Sequence, residues 1–524
     1  MYYAQLDREE IETALATLTD STNEVYDTID LLKFSHVDNT RVSFIIDQRG
    51  LVSDCDSMVS VHFYLHPTLG RINISSSAEY ANPKYNFLKW LKQNTHAYLS
   101  RQTETGLRLQ QLDDTNRTLT AKGVDVSEYI SSESGEYDVF IKFPVDIYIK
   151  TEPYSPSGEP PFNSDYVLVT MTSKLFNYEN ENDWFKWSKN KLIGVYQANL
   201  INDKLHSLSG HKPDNKLGVL AYIEKAKARG ENFGICDYDT TRLIAFLFYG
   251  YYSNLNSQKI CGSGTDNTID NTSGTGPEYY VYPKVNGLTD SLGMKDTNPA
   301  TGNGSAVDKD QVRAGTGSNI KAVNFWGFEN CWGDLSETIS NVHVMDASRP
   351  ANVTTADPSS YITDYLDVNE KIIVNKLNED GDTIYTSKEE FLADYSNQND
   401  RFAAITDKND NLIRVVDVNV PSAQGGYQHE AFITKMKFGN HADIFAKGGD
   451  WSYGTKYFAD YFMFFAPKRQ ACRSFYSNRE HCGVGFLCAE GGIGKTGWQT
   501  YGTRLIYEGD ENSIHIIDDD TETL

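Results

Sequence analysis

Two stretches of the chain concentrate side chains that could do chemistry. Asn324–Glu337 sets two Trp and two Phe among glycines and acids, and Gly448-Gly-Asp-Trp-Ser-Tyr-Gly454 runs on into Tyr457, Phe458 and Tyr461. A single Trp or Phe in such a run packs into a core by default, which is the expectation for Trp326 and Phe486. Trp451, Tyr453, Tyr457, Ser474, Tyr476, Asn478 and Arg479 are too polar as a set to be wholly core. Tyr and Trp supply large contact areas at small entropy cost, and Ser and Asn supply adaptable hydrogen bonds. The chemistry indicated is recognition rather than turnover.

Other chemistries find less support. Ala489-Glu-Gly-Gly-Ile-Gly-Lys495-Thr496 fits a permissive phosphate-loop pattern, but Gly497-Trp498 and the residues to Gly502 make poor helix sequence. A phosphate loop must open a helix, so this stretch reads as a glycine-rich turn between late strands. Cys472, Cys482 and Cys488 are separated by nine and five residues, and even with His481 nearby they lack the paired spacing of a zinc site. Buried structural cysteines are expected there, with no metal and no cofactor. Asp237 and Asp239 read as helix-capping acids rather than calcium ligands, and turn residues account for His206 and His211. The eleven histidines and 72 acids single out no Ser-His-Asp set and no carboxylate pair, so no catalytic residue is expected.

These residues must be positioned by a large chain of 524 residues with a net charge of −24, from 48 Lys+Arg against 72 Asp+Glu. That balance argues against nucleic acid as a partner. No apolar run reaches the length of a membrane span, and Met1–Asp30 has Asp7, Glu9 and Glu10 where a signal peptide would be basic. Seven cysteines, an odd number without regular spacing, fit a reducing compartment. The pattern predicts helices over 6–18, from Asn82-Pro83 through Leu91, over Thr240–Tyr252 and over Lys388–Tyr395. Asp239 or Thr240 is the expected cap of the third, which should be buried all round. Strands are expected at Val42–Ile46, Val59–Leu65, Tyr137–Pro144, Tyr166–Met171, Lys191–Tyr196, Tyr279–Tyr282, Lys371–Val374 and Asn411–Val420. The expected class is α+β. An α/β attachment or oligomerisation module spans 1–128, and a large domain spans 129–505 with insertions at about 262–320 and 346–430. An acidic tail occupies 506–524.

The ordered motifs carry a family resemblance. Trp326-Gly-Phe-Glu-Asn-Cys-Trp-Gly-Asp334, Gly448-Gly-Asp-Trp-Ser452 and Cys482-Gly-Val-Gly-Phe486 resemble signatures of the C-type-lectin fold of the formylglycine-generating-enzyme type. The nearest form is the one found in phage tail and receptor-binding proteins, including those diversified by retroelements. Ile193–Tyr196, Leu208–Gly210 with Pro213, Tyr238, Asn256–Gln258 and Cys261–Gly264 follow the same order, so the likeness covers roughly 135–500. It implies that Trp326, Gly327, Glu329, Asn330, Trp332 and Gly333 form a structural signature, that Gly448 and Gly449 open a displayed region, and that Gly485 and Phe486 close it. Asp450, Trp451, Tyr453, Thr455, Lys456 and Tyr457, with Ser474, Tyr476, Asn478, Arg479 and His481, would then face a ligand. The family usually follows Gly-Phe with Arg, where this chain has Leu487.

The implied function is that of a virion tail or fibre protein, assembled in the host cytoplasm beside other virion structural proteins. It would bind a bacterial surface glycan or outer-membrane protein as a homotrimer, without membrane insertion. A structural virion protein that uses the domain for assembly alone is the alternative. The enzyme branch of the fold uses a cysteine pair with four intervening residues and copper, whereas Cys482 and Cys488 have five, and the surrounding motif is missing. A glycan-degrading enzyme would need an acid pair that the sequence does not single out.

Overall fold

The computed structural model describes residues 40–47, 87–153, 166–262, 264, 283–297, 322–348, 361–376, 382–396, 400–419, 430–450, 460–464, 472–473, 483–485, 487–489 and 501–517, apart from positions 178, 216, 253, 284 and 370 within these ranges. The expected helix over 6–18 and the strands Val59–Leu65 and Tyr279–Tyr282 lie outside the described residues. Helices and mixed sheets alternate along the chain, and the class is α+β.

The helix Tyr238–Tyr252 organises the main core. Its apolar run leaves no polar face, and side chains from Tyr238 to Gly250 are buried almost without interruption. Of the expected capping residues, Asp237 caps it, in place of Asp239 or Thr240. Asp237 Oδ1 accepts the Thr240 N–H at 2.9 Å and the Thr240 hydroxyl at 2.8 Å, satisfying donors that the first turn leaves free. Near the other end, a side chain at Gly250 would begin 2.7 Å from a Phe44 ring carbon and 2.8 Å from Leu88 Cδ1. The glycine lets the strand Arg41–Asp47 and the helix Phe87–Asn94 press directly on this helix.

An eight-stranded sheet runs in the order Phe233–Ile235, Arg504–Glu508, Lys191–Gln197, Tyr137–Lys142, His96–Thr103, Gly106–Asp113 and Ile514–Ile517, with Asn116–Thr120 paired outside that path. Strands from both sides of residue 128, and from both sides of residue 505, are hydrogen bonded within it. Residues expected to form an acidic tail therefore include the end of the strand Arg504–Glu508 and the whole of Ile514–Ile517. Ile514–Ile517 lies parallel to Leu107–Gln110, an approach that Gly106 permits, because a Cβ there would sit 2.2 Å from the Ser513 carbonyl.

Much of the expected insertion at 346–430 is a folded unit, a five-stranded sheet ordered Val342–Asp346, Arg401–Thr406, Leu412–Asp417, Ile372–Asn375 and Asp382–Tyr385. Alternation along its strands explains how both faces are covered. Met345, Phe402, Ala404 and Val415 pack with Ile362 and Phe391 of the helices Ile362–Asn369 and Lys388–Asp394. Val344, Ala403, Ile405 and Val416 point the other way, into the main core. The second helix is capped by Ser387, whose hydroxyl accepts the Glu390 N–H at 3.1 Å. Within the aperiodic stretch 262–320, residues 285–297 are anchored chain rather than loose loop, with Asn286, Thr289, Asp290 and Thr297 buried.

Candidate functional site

The segment around Trp326 is folded into the core by an unusual backbone. Trp326, Asn330 and Asp334 have φ of 55°, 47° and 63°, and Gly327 and Gly333 lie at 84° and 86°. Left-handed conformations are uncommon for residues with a Cβ and persist only where packing over-determines them. Here the ring of Trp326 meets Tyr251 edge-on at 5.1 Å, and the Lys92 ammonium sits 4.8 Å above it. Trp332 meets Phe248 at 5.9 Å, and its indole N–H donates to the Gly262 carbonyl at 2.8 Å. A side chain at Gly327 would begin 2.5 Å from Met294 Sδ.

Acids in this region are bound inward rather than presented. Glu329 accepts the Gly287 N–H at 2.7 Å and the Thr289 N–H at 2.6 Å. Burial and the nearby Asp290 raise its pKa, with Arg117 and Thr289 opposing them. Asp290 accepts from Arg117 at 3.1 Å and from the Ser209 hydroxyl at 2.6 Å, and Tyr196 also donates to it. Glu337 is paired with Arg504 at 2.6 and 2.9 Å, and neither side chain is exposed. Sequence reading did not find this polar network. Its partners are far apart in the chain and carry no spacing signal. His206, expected as a turn residue, is instead fully buried at the end of the strand Lys204–His206, beside Asp138 at 3.3 Å and Arg229 at 2.7 Å.

The described strands that flank the expected display region belong to a seven-stranded sheet ordered Asp443–Asp450, Glu430–Gly439, Tyr461–Phe464, Leu487–Ala489, Cys472–Arg473, Ser336–Thr338 and Tyr501–Gly502. Its register brings four chain ends together. Asp450, which ends one strand, and Tyr461, which begins the next, both stand opposite Phe432. Leu487 stands beside Phe462, and Cys472 stands opposite Cys488. The described strands therefore end at Asp450 and Arg473 and begin at Tyr461 and Leu487 at one level of one sheet. Trp451, Tyr453, Thr455, Lys456 and Tyr457 belong to the first connection, and Ser474, Tyr476, Asn478, Arg479 and His481 to the second. These ten residues and Phe486 lie outside the described residues, and Asp450 closes its strand.

Glycines shape the supports of this level. A Cβ at Gly449 would fall 2.5 Å from Ala431 Cβ and 2.6 Å from the Phe462 ring, while Gly448 stands opposite Lys435. The base of the second connection is held twice. The Val484 N–H donates to Ser257 Oγ at 3.1 Å, and the Gly485 N–H donates to Asp460 Oδ2 at 2.8 Å. Asp460 carries no motif in the sequence, and Ser257 stands there only as part of the Asn256–Gln258 motif. The available signal was an acid set within the apolar run from Phe458 to Phe464.

Among the described residues, no group of three or more His, Cys, Asp or Glu is arranged to hold a metal ion. No described helix is long and apolar enough to cross a membrane. No protein-family model matches the chain, and no curated protein is significantly similar to it.

Proposed function

We propose that this chain is a phage virion protein of the tail or fibre, with a C-type-lectin-like fold of the formylglycine-generating-enzyme type whose motifs run from about residue 135 to 500. In this reading it binds a bacterial surface glycan or outer-membrane protein by aromatic stacking and side-chain hydrogen bonds, without turnover. The supporting observation is the register of the seven-stranded sheet. Both segments of recognition composition, 451–459 and 474–482, are strung between strand ends at a single level. Two connections rooted together can share one ligand, whereas connections rooted at opposite ends of a sheet could not. Copies on one particle raise avidity, so a modest affinity per site suffices, and the N-terminal residues supply attachment to other virion proteins or trimerisation.

The test is binding of the full chain to purified bacterial surface polysaccharide and to outer-membrane protein fractions. Alanine at Trp451 together with Tyr453 should weaken binding tenfold or more while thermal melting stays within about 2 °C. A large melting loss would place both rings in the core. Binding by neither fraction, with the protein located inside the tail shaft or capsid by labelled antibody, would favour the assembly-only reading.

A further inference from the structure

Asp460 is an acid in an unusual place. It is fully buried at the root of the first connection. Its carbonyl accepts the Ile433 N–H at 2.8 Å, and its Oδ2 accepts the Gly485 N–H at 2.8 Å, at the root of the second connection. Oδ1 accepts no hydrogen bond from the described residues and faces Gly483, where a side chain would begin 1.3 Å from Oδ1 and 2.9 Å from Ser257 Oγ. The helix Tyr238–Tyr252 presents Tyr249 to this region, the helix Ser257–Cys261 presents Ser257, and the strand Glu430–Gly439 presents Met436. Tyr249 is the one titratable group of the described residues that faces the carboxyl, and burial and Asp460 both push its pKa up. Among the described residues, no cation acts on Asp460.

We infer that Asp460 is a positioning residue that works as a neutral carboxylic acid, tying the roots of the two connections together, and that its ionisation loosens that tie. A carboxylate here would exchange full hydration for one amide donor, which a buried charge does not survive unpaired. With the proton on Oδ1, Oδ2 remains an acceptor for the Gly485 amide. Burial carries its pKa well above the ordinary carboxylate value, and the Gly485 amide opposes this without overcoming it. The unfolded chain ionises first, at about pH 4. The stability Asp460 contributes is therefore complete below that pH and declines as pH rises towards the native pKa. The tie itself is read from Asp460, Gly483–Gly485 and Ser257, and only its consequence for recognition rests on the proposed function.

The experiment compares the full chain with Asp460→Asn and Asp460→Ala by infrared difference spectroscopy and by amide exchange corrected for intrinsic rates. At about pH 6, above the ordinary carboxylate range, the native chain should show a protonated-carboxyl stretch that Asp460→Asn lacks. Raising the pH should remove that band and, in step, speed Gly485 exchange about tenfold in the native chain but not in Asp460→Asn. Asp460→Ala should expose Gly485 at every pH. Absence of the band, or native-like Gly485 protection in Asp460→Ala, would overturn the inference. If Asp460→Ala does not fold, the band and the comparison with Asp460→Asn decide it. Polysaccharide binding measured on the same samples separates the two readings. An intact pH-dependent tie in a chain that binds nothing would sink the proposed function and leave the tie standing.

Discussion

Arg504 shows how single residues carry this fold. Its guanidinium has no exposure and is matched by Glu337 and by the carbonyls of Gly194, Val195, Glu329 and Asn330. Removing one member of such a pair strands a buried charge, so Glu337→Ala should lower unfolding free energy by about 3–5 kcal/mol in denaturant titration. Glu337→Gln, which keeps an acceptor, should lose less. Gly483 is constrained by space alone, since its missing side chain is what admits the Asp460 carboxyl. Gly483→Ala should destabilise by about 1–3 kcal/mol through overpacking, and a melting curve unchanged from the native chain would contradict that placement. None of these partners was legible beforehand. An Arg and a Glu 167 positions apart leave no local pattern, whereas Trp326 announced its burial by type alone.

Elements were more legible than contacts. The strands at 42–46, 137–144, 166–171, 191–196, 371–374 and 411–420, and the helix at 240–252, lie within a few residues of where periodicity put them. Their faces repeat every two or 3.6 residues whatever the chain does elsewhere. Two-residue alternation could not say that 346–430 would fold as a sheet seated on the main core. That seating has an ionic fastening, because Arg414 in the strand Leu412–Asp417 gives Asp443 two hydrogen bonds, at 2.8 and 2.7 Å. Asp443 in turn lies 3.5 Å from Arg242. Arg414→Ala should loosen the five-stranded unit ahead of the rest, seen as about tenfold faster proteolysis within 346–430 under native conditions. Uniform acceleration along the chain would show that the unit unfolds only with the whole.

At the scale of the molecule, charge sets how stability responds to solvent. A net charge of −24 repels itself in the compact state, so added salt should raise the melting temperature. Acid has a separate effect. Burial alone would raise the pKa of Asp138, but Arg229 and His206 hold it below the ordinary carboxylate range. Its contribution is present above the unfolded carboxylate pKa, near pH 4, and is lost as pH falls through its lower native value. Asp138→Asn should therefore be less stable than the native chain at neutral pH and should close the gap as the medium turns strongly acidic, measured by thermal melting across pH. A gap that stays constant with pH would exclude this linkage.

Composition and pattern by themselves determined the class, the elements along much of the chain, the burial of Trp326, and two aromatic stretches with the makeup of a recognition surface. These follow from side-chain type and short-range spacing, which act whatever the rest of the chain does. Only the tertiary structure decided that residues on both sides of 128 and 505 share one sheet, because strand pairing joins segments hundreds of positions apart. Register likewise decided that the connections after Asp450 and Arg473 are rooted at one level. An acid in an apolar run becomes a tie between them only when Gly485 is brought against it. Long-range pairing sets these outcomes, and no local pattern encodes it.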